Sequence, residues 1–148
     1  MVLSVVLGFI AAATFASDPN LGTWKLSEAK SRFSATAVKN RTVVYQVEGT
    51  DVRVTIDASD AQGQPTHNEW TGKFDGKDYP VVGDATAMTR SYKKIDDHTT
   101  EFTNKKNGKV TLRGRIVVSA DGKSRTVTGT GMAANGEKIK FTAVYDKE

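Results

Sequence analysis

The chain contains no cysteine, which excludes a disulfide framework, a thiol nucleophile and a thiolate metal site. Histidine stands at 2 and proline at 3, so there is little material for a zinc centre and few rigid breaks in the backbone. Helical composition is scarce: only residues 27–37 could hold a helical turn. Charge of one sign does not dominate, since 21 basic residues face 17 acidic ones for a net +4, and Lys93-Lys94 and Lys105-Lys106 are the only basic doublets. Scattered lysines and arginines suit solvated strand faces and protected edges, so no nucleic-acid partner is expected.

One long apolar run exists. Residues 2–16 are uncharged, rich in Val, Leu, Ile, Phe and Ala, and end in Thr14-Phe15-Ala16, with Asp18 the first charged residue. A spanning helix needs ~20 apolar residues, whereas a shorter run closed by small residues suits a secretory leader cleaved near Ala16 or Ser17. The leader would cover 1–17, leaving a single domain at 18–148 that is secreted or periplasmic and not stably inserted in a membrane. A buried N-terminal helix or a retained anchor is the alternative.

The rest of the chain is dominated by alternation. From Asn40 onward, short runs rich in Val, Thr, Ile, Tyr and Phe alternate apolar with polar, the period of half-buried strands. Residues 41–48 place Val43, Tyr45 and Val47 on one face. Beyond Glu48-Gly49-Thr50-Asp51, Val52, Val54 and Ile56 continue a face of the next strand, so the two read as a hairpin. Residues 67–74 put Trp70 and Phe74 on one side, and residues 78–82 form a short return that Pro80 confines to an edge or an end. Further strands are expected at 86–95, 98–106, 109–119, 123–132 and 138–146. The connections Asn107-Gly108, Asp121-Gly122 and Asn135-Gly136 carry the residues that type I′ turns require. The fold class is therefore all-β, a single antiparallel up-and-down β-barrel of eight to ten strands, because an open sheet of that size leaves two long edges that closure removes.

The opening Leu21-Gly22-Thr23-Trp24-Lys25-Leu26 resembles the Gly-x-Trp start of the first strand in the calycin superfamily, the lipocalins and fatty-acid-binding proteins. The closing Thr142-Ala143-Val144-Tyr145-Asp146-Lys147 is similar to the last strand of the fatty-acid-binding barrels. Residues 73–81 and 118–123 resemble small exported bacterial lipocalin-like proteins. The resemblance implies structural roles for Gly22, which lets backbone approach closely, and Trp24, which plugs one end of a barrel. It also marks departures. Residues 27–39 are too short for the two-helix lid of the fatty-acid-binding barrels, so a barrel without a helical lid is expected. Their Arg-x-Tyr in the last strand is replaced by Ala143-Val144-Tyr145. In lipocalins an Arg near the last strand often covers the Trp, and none follows Tyr145 here.

Arg90 alternates with Met88 and Tyr92. If that face is interior, a cation sits in the lumen and needs a carboxylate partner or an anionic ligand; in the opposite register Ala87, Thr89 and Ser91 point inward and Arg90 meets water. Tyr45, Trp70, Phe102, Phe141 and Tyr145 fall on inward faces and, with Val54, Leu112 and Ile116, either line a cavity or fill a core without one. His67 and Glu69 share a strand face but do not complete a zinc site, and no metal or cofactor is expected. Gly129-Thr130-Gly131-Met132-Ala133-Ala134 matches a dinucleotide fingerprint by letters, without the strand-to-helix context that motif needs.

The expected function is an exported carrier of a small hydrophobic or amphiphilic molecule. Arg90, Tyr92, Tyr45, Trp70, Phe102, Phe141 and Tyr145 would be its ligand contacts, in a monomer without enzymatic activity. The alternative is a ligand-free barrel that engages an envelope component through surface loops such as residues 75–79 and 82–85. An outer-membrane barrel is disfavoured by charge at the outward positions Arg53, Asp57, Arg113 and Arg115. A tightly filled interior would count against the carrier.

Overall fold

The structure, a computed structural model, describes residues 18–148; the leader expected at 1–17 lies outside the described residues. Ten strands run in sequence: β1 (Gly22–Phe33), β2 (Lys39–Glu48), β3 (Asp51–Ser59), β4 (Pro65–Gly72), β5 (Tyr79–Val82), β6 (Thr89–Lys94), β7 (Thr99–Lys106), β8 (Lys109–Val118), β9 (Ser124–Met132) and β10 (Lys138–Lys147). Each pairs antiparallel with its sequence neighbour, and β10 returns to β1, so the meander closes into a barrel without a free edge.

Turn chemistry sets the register, though not always in the expected way. At the β7–β8 hairpin both Asn107 (φ 51°) and Gly108 (φ 75°) are left-handed, as a type I′ turn demands. The other two connections differ. Only Gly122 and Gly136 have positive φ there, while Asp121 and Asn135 do not. Gly122 N–H donates to Ser119 O and Gly136 N–H to Ala133 O, both at 2.9 Å, so these are longer loops ending in a left-handed glycine.

Residues 27–37, which could have held a helical turn, instead continue β1 to Phe33 and then make one hydrogen-bonded turn, Ala37 N–H donating to Ser34 O at 3.1 Å. β1 bulges on the way: the register passes from Ser27↔Val144 to Arg32↔Thr142, so four residues oppose one. Ser31 holds the bulge, its hydroxyl donating to Ser27 O (2.6 Å) and accepting from Val144 N–H (2.9 Å). Bulges bend a strand and sharpen its twist, and beyond this one β1 resumes pairing with β10 at Arg32↔Thr142 and Phe33↔Phe141. Among the described residues no strand is an edge, so of the two places Pro80 allowed for this segment, an edge or an end, the edge is ruled out, and Pro80 stands one residue inside the start of β5. It sits between β4 and β6, with only two residue pairs on each side. Phe74 falls just beyond β4 and packs on Trp70 from the turn, with ring centroids 6.1 Å apart.

The core occupies much of the barrel interior, and Trp24, Val43, Val54 and Trp70 are fully enclosed. Trp24 plugs the end formed by the start of β1 and the finish of β10, its indole N–H donating to Asn20 O at 2.9 Å. Gly22, beside it, has φ 113°, and a Cβ there would meet Lys147 Cε at 2.9 Å; both the backbone conformation and the close approach favour glycine.

Candidate functional site

The structure selects one of the two registers for β6. Thr89 and Ser91 face away from the core, while Arg90 and Tyr92 are buried inside the barrel at 4% and 3% exposure. Met88 lies outside the strand and is exposed. Strands on either side supply the groups that make a buried guanidinium tolerable. Arg90 Nε donates to Asn104 Oδ1 (2.9 Å), and its terminal nitrogens reach Asn68 Oδ1 (3.4 Å). Asp84, from the β5–β6 loop, brings a carboxylate to 3.3 Å. The carboxylate partner that an interior Arg90 requires is therefore present, and its charge is balanced.

Arg125 is different. It enters from β9 on the inward-facing parity of Val127 and Gly129 and is 2% exposed. Its guanidinium lies 4.9–5.0 Å from the ring centroids of Trp24, Tyr45 and Tyr145, where the ring quadrupoles offset part of the cost of burying charge. Nη1 donates to Asn20 Oδ1 at 2.8 Å, Nε has no partner, and Asn20 Nδ2 has none either. Among the described residues no carboxylate pairs with it. An arginine does cover Trp24, as in lipocalins, but from β9 rather than from beyond the last strand. The signal in the sequence was the alternation Arg125-x-Val127-x-Gly129, which puts a cation in line with core positions.

Between the two arginines lies a cavity of about 50 Å³. Six of the seven expected ligand contacts line it: Arg90, Tyr92, Tyr45, Phe102, Phe141 and Tyr145. Trp70 does not. It is wall, its indole N–H donating to Arg90 O at 2.8 Å and its ring meeting Tyr92 at 4.8 Å. Burial holds the Tyr92 hydroxyl far above its ordinary pKa, reinforced by Tyr45 and opposed by Arg90. Burial does the same to Tyr145, opposed by Arg125. Both phenols therefore stay neutral, and Tyr145 donates to Asn40 O at 2.8 Å. Phe33, Val38, Leu112 and Phe141 line the cavity while only half-buried, so they form its mouth, away from the Trp24 plug. Two cations and one carboxylate meet in this lumen, surrounded by neutral hydroxyls and aromatic rings.

The remaining polar candidates lie outside. His67 bonds Asp57 through Nδ1 (2.6 Å) and Glu69 through Nε2 (3.3 Å) on the outer face of β3 and β4. Those hydrogen bonds raise the His67 pKa above 6.5, which makes the trio an ion-pair network rather than an acid–base pair in a cleft. Among the described residues no group of three or more His, Cys, Asp or Glu side chains is placed to hold a metal ion. Of the two loops considered as docking elements, residues 82–85 turn Asp84 inward to Arg90. In residues 75–79 the Tyr79 hydroxyl donates to Asp75 at 2.8 Å.

The described residues form a closed ten-stranded antiparallel meander. Comparison with known proteins finds no matching family model and no matching curated protein. Among solved structures the chain is similar to a redesigned beta barrel, mFAP1, bound to DFHBI, at 12% identity and a TM-score of 0.49, over 87% of this chain and 95% of that one.

Proposed function

We propose that the protein is an exported, lipocalin-like binding protein that holds a compact amphiphilic molecule in its lumen, with an anionic group of the guest against Arg125. The observation that carries this is a buried guanidinium with a free Nε and no carboxylate, lining a cavity. An uncompensated interior cation costs several kcal/mol or so even after relaxation, and an anionic guest would remove that cost. Size narrows the guest. Drug-sized ligands occupy roughly 300–1,000 Å³, whereas a cavity of about 50 Å³ takes on the order of three or four waters at ~10–15 Å³ each. A long-chain lipid therefore does not fit the interior as it stands. A short carboxylate, or a head group whose tail leaves past Phe33, Val38, Leu112 and Phe141, is the appropriate class. Export is proposed on the apolar run and small-residue ending of residues 2–16.

The test is native mass spectrometry together with calorimetric titration of short carboxylates, such as acetate and propionate, and of their uncharged amides. The carboxylate should bind at least about tenfold tighter than the amide, a difference of roughly 1.4 kcal/mol, and Arg125→Met should erase that preference. Equal affinity for acid and amide in the wild-type protein overturns the reading. The surface-acting alternative is favoured by a different observation, a larger concavity on the outer wall.

A further inference from the structure

A barrel wall is ordinarily convex, yet the outer face of β7–β10 holds a groove of about 450 Å³, far larger than the lumen. Its cause is a row of inward-facing residues, Phe102, Gly114, Gly129 and Phe141, directly opposite one another across four strands. A Cβ on Gly114 would come within 2.7 Å of Phe102 Cζ, and one on Gly129 within 2.5 Å of Phe141 Cζ. The two rings lie over bare backbone, and outside that backbone the wall is dented. The walls of the dent are outward-facing side chains: Glu101 and Thr103 from β7, Arg113 and Arg115 from β8, Thr128 and Thr130 from β9, and Lys140 and Thr142 from β10. Arg115 is paired with Glu101 at 2.7 Å, whereas Arg113 and Lys140 have no carboxylate within ion-pair distance among the described residues.

We infer that this groove is a binding site for an acidic saccharide, a sugar polymer bearing carboxylates. Two unpaired cations and one paired one give it a net positive lining. The threonine hydroxyls, each both donor and acceptor, match a polyhydroxylated ligand, and the floor of side-chain-free backbone at Gly114 and Gly129 lets a sugar ring approach closely. The groove's outward side chains are all charged or hydroxylated, unlike the aliphatic and aromatic side chains that line a lipid site. It also lacks an exposed aromatic face on which a nucleobase could stack. A single carboxylate, already paired, does not make it a cation site. The inference stands apart from the lumenal reading, since no residue of the Arg125 cluster lines the groove.

The experiment is calorimetric titration of the protein with oligogalacturonate, neutral maltooligosaccharide of equal length and a single-stranded oligonucleotide of equal charge. Oligogalacturonate should bind and the neutral oligomer should not. The double variant Arg113→Gln/Lys140→Gln, exposed at both positions, should lose about tenfold in affinity, as rim charges do. Arg125→Met should leave that affinity unchanged. Equal binding of the neutral oligomer, unchanged affinity in the double variant, or preference for the oligonucleotide each overturns the proposal. Loss on Arg125→Met instead moves the acidic ligand to the lumen.

Discussion

At the scale of single residues, two buried arginines separate on the partners they meet. Arg90 is satisfied by Asn104, Asn68 and Asp84, whereas Arg125 has one amide oxygen and three ring faces. The first is a solved packing problem, and the second leaves charge over for a guest. A milder electrostatic effect is set at the surface. The Asp57 and Glu69 hydrogen bonds raise the His67 pKa, while His67 and then Arg53 lower that of Glu69. A raised histidine pKa contributes stability that is complete below its unfolded value and is lost as pH rises through the folded one; the lowered Glu69 pKa contributes above its unfolded value and is lost on acidification. The network is therefore strongest between those two limits. The melting-temperature gap between wild type and His67→Gln should be larger near about pH 5.5 than near about pH 8.5. A gap independent of pH would show that the histidine does not participate as an ion.

At the scale of elements, the sequence alternation located the strands, and local chemistry decided the turns unevenly. Asn-Gly and Asp-Gly look alike in a string of letters, but only Asn107-Gly108 joins strands whose pairing continues directly to Lys106↔Lys109, so only there must two residues adopt positive φ. In the other two hairpins extra residues between the last pairs relax that demand. Asn107→Ala should therefore destabilise the barrel by about 1 kcal/mol, because alanine lacks the short polar side chain whose local hydrogen bonding makes asparagine tolerate the left-handed region, and Asn107→Gly should be close to neutral. Urea denaturation measures both, and an alanine variant as stable as wild type would contradict the turn assignment. The register of β6 was not legible locally, because either face of residues 86–95 contains polar side chains. What decides it is Asn68, Asp84 and Asn104 converging on Arg90 from three other segments, which no local pattern carries. Arg125 escaped for a related reason: its compensation comes from rings on β1, β2 and β10. The bulge of β1 was hidden too, since it depends on one serine reaching both its own strand and β10.

At the scale of the whole molecule, closure distributes hydrogen bonding unequally around the cylinder. The β2–β3 and β9–β10 seams each align nine residue pairs, but β5 contributes two to β4 and two to β6. Pro80 removes one donor from the little that β5 has to offer. Such a strand is the natural place for local opening, because the free energy of exposing it need not approach that of global unfolding. Side chains tie the β5–β6 loop from two sides: Lys106 and Thr111 donate to Ala85 O and Thr86 O, and the Asp84 carboxylate on Arg90 pins the loop to the lumen. Native-state hydrogen exchange should find the amides of β5 and residues 82–88 the least protected of the barrel wall, and those of β9 and β10 the most. Asp84→Asn, which keeps a hydrogen-bonding oxygen but removes the charge, should speed exchange in β5 and β6 while leaving β9 and β10 at the wild-type rate. Uniform acceleration around the barrel would mean that Asp84 supports global stability rather than this seam. If β5 proves as well protected as β9, the cylinder opens elsewhere and entry to the lumen is confined to the mouth at Phe33 and Phe141.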